Sequence, residues 1–159
     1  MKSLTSGVFV TGVSLLLTVV PAHAQGWGVR GGTNINPDQV YVGGSYALEP
    51  LMQDLWFEPN GDAGFGNGVR LLAGNLDVMY RLWQPRRSPW RLDVGGGPAV
   101  NHYRLNTYSQ TEAGVNAVAA LVHSKGWGSE FRVGFLESPQ FRVGVTYRLH
   151  PAQRGRRSK

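Results

Sequence analysis

Hydrolytic chemistry needs a nucleophile, a base that activates it and a group that orients the base. This 159-residue chain offers few places for it. His123 is followed at once by Ser124, but neighbours on an extended strand point to opposite faces, so the two cannot exchange a proton there. His102 and Ser109, both in the connection between the fifth and sixth expected strands, are the pairing that geometry permits. A metal site would need clustered histidines and carboxylates; His102, His123 and His150 fall in three separate connections or ends. The run Gly95-Gly96-Gly97-Pro98-Ala99-Val100 has the glycines of a phosphate cradle. It lacks the Gly-Lys-Ser/Thr and the helix that such a loop requires, and reads instead as a strand narrowed by glycine. Asp77, Asp93 and Glu130 read as partners of nearby arginines rather than as acids and bases. No cofactor is expected.

The elements that carry these residues are short and alternating. No 3.6-residue period is sustained, whereas apolar and polar residues alternate between turn letters, as in an antiparallel all-β fold. Strands are expected over 26–33, 38–48, 54–66, 69–82, 89–101, 112–122, 127–136 and 139–149. The breaks between them include EPLMQ, GNG, WQPRRSP, YRLNTYSQ and LESP, mostly of hairpin length, so neighbours in sequence should pair. The 22 glycines and 17 aromatic residues fit such a chain. An even number of strands in one domain points to an eight-stranded antiparallel up-and-down β-barrel, because closure removes both exposed edges.

Outside that unit lie two segments of different character. Residues 1–24 have a basic start at Lys2, an apolar middle and a Pro21-Ala22-His23-Ala24 ending, the layout of a secretory signal peptide cleaved after Ala24. Residues 151–159 form a basic flexible tail, leaving a barrel domain over 25–150. The formal charge of +6 comes mostly from those ends: between Gln25 and Ala152, 11 basic residues face 10 acidic ones. No basic stripe of the kind that binds nucleic acid is present on the folded part. With no cysteine, disulfides, thiolate metal sites and lipid anchors through cysteine are excluded.

Which face of the strands meets solvent decides what the barrel is for. One face carries Phe141, Val143, Val145 and Tyr147, or Leu72, Leu76, Val78 and Tyr80; the other carries small, polar and charged residues. The segment Val115–Leu121 is apolar on both faces. An eight-stranded lumen is only wide enough for its own side chains, so packing every bulky residue inside would overfill it. The polar faces hold Arg30, Arg81, Arg91, Arg132, Arg142 and Arg148 against Glu58, Asp62, Asp77, Asp93 and Glu130. That near-cancellation is what a desolvated interior requires. Trp27, Tyr80, Trp90, Trp127 and Tyr147 all fall at one barrel end with the parity of the apolar face, an aromatic belt at a membrane interface. The expectation is therefore a transmembrane barrel, apolar outside and charged within. The doubled Phe-Arg-Val-Gly at 131–134 and 141–144 then places Phe and Val toward lipid and Arg in the lumen. The alternative is a secreted soluble barrel that turns its apolar face inward around an apolar ligand.

With LWFEPNGDAGFG, LLAGNLDVMYRL, SPWRLDVGGGPAVN and FRVGVTYRL in view, the chain resembles the small eight-stranded outer-membrane β-barrel proteins of diderm bacteria, over essentially all of 25–150. The resemblance implies an outer-membrane location, outer-membrane lipids as surroundings and the barrel-assembly machinery as a partner during insertion. Members typically end on an aromatic residue which that machinery recognises; here Tyr147 stands in, because the chain runs on past His150. The function implied is structural or interaction-based and non-catalytic, with a lumen plugged by side chains. Recognition would fall to the longest outer loop, His102 to Thr111, whose two tyrosines, arginine, asparagine and serine suit adhesion or glycan contact. Because some such barrels modify lipid A, a lipid A-modifying enzyme using His102 and Ser109 stands as a further alternative.

Overall fold

The computed structural model describes residues 26–66, 68–105, 108–136, 138–139 and 141–149. The expected leader over 1–24 and the tail over 151–159 lie outside the described residues. Nine strands form: β1 (Gly26–Ile35), β2 (Gln39–Ala47), β3 (Pro50–Met52), β4 (Leu55–Gly66), β5 (Val69–Trp83), β6 (Trp90–Leu105), β7 (Tyr108–His123), β8 (Trp127–Leu136) and β9 (Phe141–Arg148). Every pairing is antiparallel between sequence neighbours, apart from two closing contacts. The first strand meets the last, with Gly28 opposite Arg148 and Ile35 opposite Phe141. β2 meets β4, with Val40 opposite Phe65 and Ser45 opposite Asn60. The sheet thus closes into an eight-strand circuit, and no strand of that circuit is left as an edge along its full length.

The ninth strand was not expected. Residues 49–53 read as a connection, yet Pro50–Met52 extends β2's pairing with β4: Leu48 N–H donates to the Phe57 carbonyl at 2.9 Å, and Pro50 then faces Trp56. A shift of register before Met52 accommodates the proline, which has no N–H to give to a ladder. The reversal falls one step later, at Gln53 and Asp54, where Asp54 takes φ +66°, a conformation aspartate tolerates better than most residues.

The second departure lies at the other end. The polar stretch from His102 to Thr111, expected as a loop, is strand almost throughout: β6 and β7 pair without interruption from Trp90–His123 to Leu105–Tyr108. Polarity alone does not end a strand whose backbone keeps a partner. The hairpin stands above its other neighbour, since the pairing of β7 with β8 begins only at Gly114 and Leu136.

Both chain ends of the barrel, with the turns at 53–54, 84–89 and 124–126, lie at one end, which we term basal; the β1–β2, β4–β5, β6–β7 and β8–β9 connections join strand ends at the other, distal end. At the distal mouth the β8–β9 connection folds inward: Ser138 and Pro139 are buried, and Asn101 donates to the Ser138 hydroxyl at 3.1 Å.

Glycine matters most where β6 crosses β5. The β5–β6 ladder passes from Asn75–Ala99 to Val78–Gly96, skipping Gly97 and Pro98. There β6 presses so close to β5 that a Cβ on Gly97 would lie 2.9 Å from the Leu76 carbonyl carbon and 3.1 Å from the Asp77 Cα. Those are backbone atoms and cannot swing aside. Gly97→Val should therefore destabilise the barrel by about 1–3 kcal/mol or more. In refolding from urea it should reduce the fraction that migrates as the compact, unboiled form on a gel; an unchanged fraction would show that the close approach is absent.

Candidate functional site: a neutralised lumen inside a nearly charge-free wall

Strand parity divides the side chains cleanly. Inward-facing arginines and acids assemble into three separate ionic groups. In the central one, Arg30 binds Asp62 with both Nε and Nη2, at 2.7 and 2.6 Å, and reaches Glu130 at 3.2 Å. Arg142 adds a second cation to Asp62 at 2.6 Å. Arg132 forks onto Asp77 at 3.2 and 2.8 Å and also touches Glu130 at 3.3 Å. Three cations and three anions thus form one chain, Arg142–Asp62–Arg30–Glu130–Arg132–Asp77, linking β9, β4, β1, β8 and β5. Each of these six residues is below a tenth exposed. Asn60 donates to Asp77 at 2.7 Å and accepts from Arg30 and from Asn75, and Asn116 donates to Asn75 at 2.6 Å, which ties in β7.

The second group sits toward the basal end. Arg148 pairs with Glu58 at 2.9 Å and approaches Asp93 at 3.9 Å, and Arg91 holds the same Asp93 oxygen at 2.9 Å. Trp56 fills the space beside it: its indole N–H donates to Glu58 at 3.0 Å, and the Arg148 and Arg81 guanidinium groups lie 5.6 and 5.9 Å from its ring. Trp56, Ala47, Met79 and Val118 make a small buried apolar cluster. In the doubly apolar stretch of β7, Val118, Ala120 and Val122 face inward, beside Arg132 and Glu130 of β8 and Asp93 and Arg91 of β6, while Val115 and Leu121 face out.

The third group corrects the expected set. Arg81 joins none of the five acids named with it; it pairs with Asp54 at 3.0 Å at the basal mouth, where both side chains are about one-third exposed (30% and 32%). Asp54 is thus the sixth carboxylate that completes the balance. Its parity, shared with Glu58 and Asp62, was the available signal, and so was that of Trp56.

The outward face is the converse. Leu72 is 60% exposed, Val145 69% and Phe131 45%. The arrangement in which bulky residues line a ligand cavity is not the one found. Across all nine strands the outward positions carry only two charged side chains, Arg70 and Arg104, both at the distal end. At the basal end, Trp27, Tyr80, Trp127 and Tyr147 are exposed and Trp90 half-buried. Tyr46, Trp83 and His123 join them, which the sequence reading missed. Trp27 packs on Tyr46 at 4.7 Å, and Trp90, His123 and Trp127 pack together with ring centres 4.8–5.1 Å apart. The hydrolytic pairing does not form: His102 Nδ1 is hydrogen-bonded to the Thr111 hydroxyl at 2.8 Å, and Ser109 stands opposite Arg104. Among the described residues no cluster of three metal-binding side chains occurs.

These features define a closed eight-stranded antiparallel barrel with its charges inside. No family model and no curated protein matches the chain. Among solved structures it is similar to the N-terminal β-barrel domain of Pseudomonas aeruginosa OprF, at 18% identity and a TM-score of 0.57, over 80% of this chain and 100% of that one. It is also similar to Neisserial surface protein A, at 13% identity and a TM-score of 0.57, over 79% of this chain and 99% of that one. At such identities the likeness shows a shared fold.

The connectivity of the ionic chain ranks its members. Removing Arg142 leaves Asp62 with the two-pronged Arg30, whereas removing Arg132 leaves Asp77 with only the Asn60 amide. Breaking a buried pair by deleting one partner costs about 3–5 kcal/mol. Arg132→Leu should approach that figure and Arg142→Leu fall well short of it in urea titrations of the refolded barrel. Adding Asp77→Asn to Arg132→Leu should restore part of the loss. Equal effects of the two single substitutions would mean that these contacts are not made.

Proposed function

We propose that the chain is a transmembrane barrel of a bacterial outer membrane, with a structural or interaction role and no catalysis, its lumen closed by its own side chains. The observation that carries this reading is the nearly charge-free outer wall wrapped around buried ion pairs. In water that arrangement exposes the apolar residues and desolvates the charged ones. In a bilayer both placements become favourable. The dimensions agree. From Leu72 to Leu82 the outward face of β5 has no charge; at ~3.3 Å per residue and a tilt near 40°, that run spans about 25 Å, the height of the apolar band of outer-membrane barrels. The basal aromatic residues then lie at one interface, where amphipathic rings are favoured.

The likeness in fold to barrels from Pseudomonas and Neisseria, one of them named a surface protein, supports the location. A signal peptide over 1–24 would deliver the chain across the inner membrane, and Tyr147, outward at the end of β9, would present the aromatic signal for barrel assembly. The buried central ion pairs, the apolar cluster and the inward fold of Ser138 and Pro139 all favour a filled lumen over an open pore. Any recognition would then fall to the standing β6–β7 hairpin.

A charge on the outer wall distinguishes a bilayer from water. Val78 faces outward in the middle of the band. Val78→Arg should destabilise the barrel refolded in phospholipid vesicles by about 2–4 kcal/mol, measured by urea titration of tryptophan fluorescence. A stability unchanged by the substitution, or a barrel that stays folded and monomeric in detergent-free buffer, would defeat the membrane reading.

A further inference from the structure

We propose that Arg70 and Arg104 form a site on the outer wall for the phosphate of a phosphomonoester lipid, a site that rests on the membrane placement above. They are the only charged residues at outward positions of the strands, and they are not scattered: Arg70 on β5 stands directly opposite Arg104 on β6. Directly opposed side chains of neighbouring strands start about 4.5–5.5 Å apart at Cβ, and like charges placed so repel. Inside the barrel the directly opposed arginines Arg132 and Arg142 are relieved by Asp77 and Asp62. Arg70 and Arg104 are not: neither guanidinium forms an ion pair among the described residues, and both side chains are exposed. Asp38, in the β1–β2 turn, and Glu112, on the inward face of β7, form no ion pair with them among the described residues.

An anion supplied from outside would resolve the conflict, and its chemistry follows from the position. Arg70 lies one outward step beyond Leu72, so the pair sits about 5 Å above the edge of the apolar band, at the depth of lipid headgroups. Phe65 stands opposite Arg70 on one flank and the Ser109 hydroxyl opposite Arg104 on the other. Two forked guanidinium groups meet the oxygens of a phosphate with paired hydrogen bonds better than ammonium groups would. Two cations match the near-dianionic charge of a phosphomonoester more closely than a zwitterionic diester headgroup. The acyl chains of the same lipid would continue down over the apolar wall beneath.

The test uses the full chain refolded in detergent and incubated with equal amounts of lipid A and its enzymatically dephosphorylated form, then read by native mass spectrometry. The barrel should retain lipid A at least fivefold over the dephosphorylated lipid. R70Q/R104Q should abolish that preference, R70K/R104K should keep part of it, and R86Q/R87Q, which removes two arginines of the 84–89 turn at the basal end, should keep all of it. Equal retention of the two lipids by the unaltered chain overturns the site even if R70Q/R104Q fails to fold, as does an unchanged preference in that variant. Displacement of lipid A by equimolar inorganic phosphate would reassign the site to a soluble anion and overturn the lipid assignment. Insertion into phosphatidylcholine nanodiscs, measured in parallel, reads the membrane placement separately: insertion without phosphate selectivity sinks only this proposal.

Discussion

Everything in this barrel depends on neutralising charge where water is scarce. Arg30, Arg132 and Arg142 are each almost fully buried, and an isolated ion in such a place is prohibitively costly. The chain meets the constraint by sharing: Asp62 serves two arginines, Glu130 serves two, and Asp77 is held by Arg132 and the Asn60 amide. Every ion pair of the chain except Glu130–Arg132, which lies within β8, joins different strands at least 32 residues apart in sequence, so the ionic chain also fixes the strands across the lumen. A slip of one residue in any strand would turn its inward charges outward and leave their partners alone. Register and charge balance are therefore one requirement.

The same constraint explains the glycines and the irregularities. A lumen that already holds arginine side chains leaves little room on the narrow side, and Gly97, where β6 presses against β5, shows how far the strands close in. Toward the basal end apolar side chains fill the space beside the second ionic group, and Trp56 joins the two by offering its ring to arginines and its N–H to Glu58. Ionic layer, aromatic bridge and apolar cluster together fill the interior from strands that are otherwise free to be apolar on their outer face.

Much of this was legible from alternation alone, because a period of two assigns every residue of a strand to a face once one is assigned. The parity of Phe141, Val143, Val145 and Tyr147 fixed that of Arg142 and Arg148. Three features were not legible, each for a physical reason. Pro50–Met52 looked like a connection because proline and a charged neighbour usually end a strand, but here a register shift absorbs the proline. The 102–111 stretch looked like a loop because its side chains are polar, but its backbone remains paired beyond the apolar band. Which arginine meets which acid depends on how the closed sheet brings β1, β4, β8 and β9 together, and alternation carries no information about that. Hence Arg81 was set against the five acids Glu58, Asp62, Asp77, Asp93 and Glu130, while its partner Asp54, at the start of the expected strand over 54–66, was left out.

The inside-out placement can be read residue by residue. The chain has no cysteine, so single cysteines carrying nitroxide labels can be placed at successive positions from 71 to 80 on β5 and their collisions with oxygen and with an aqueous nickel reagent compared in a bilayer. The placement predicts high oxygen access at the even positions and low access to both reagents at the odd ones, with a period of two throughout. Nickel access at positions 72, 76 and 78, or the absence of alternation, would contradict it.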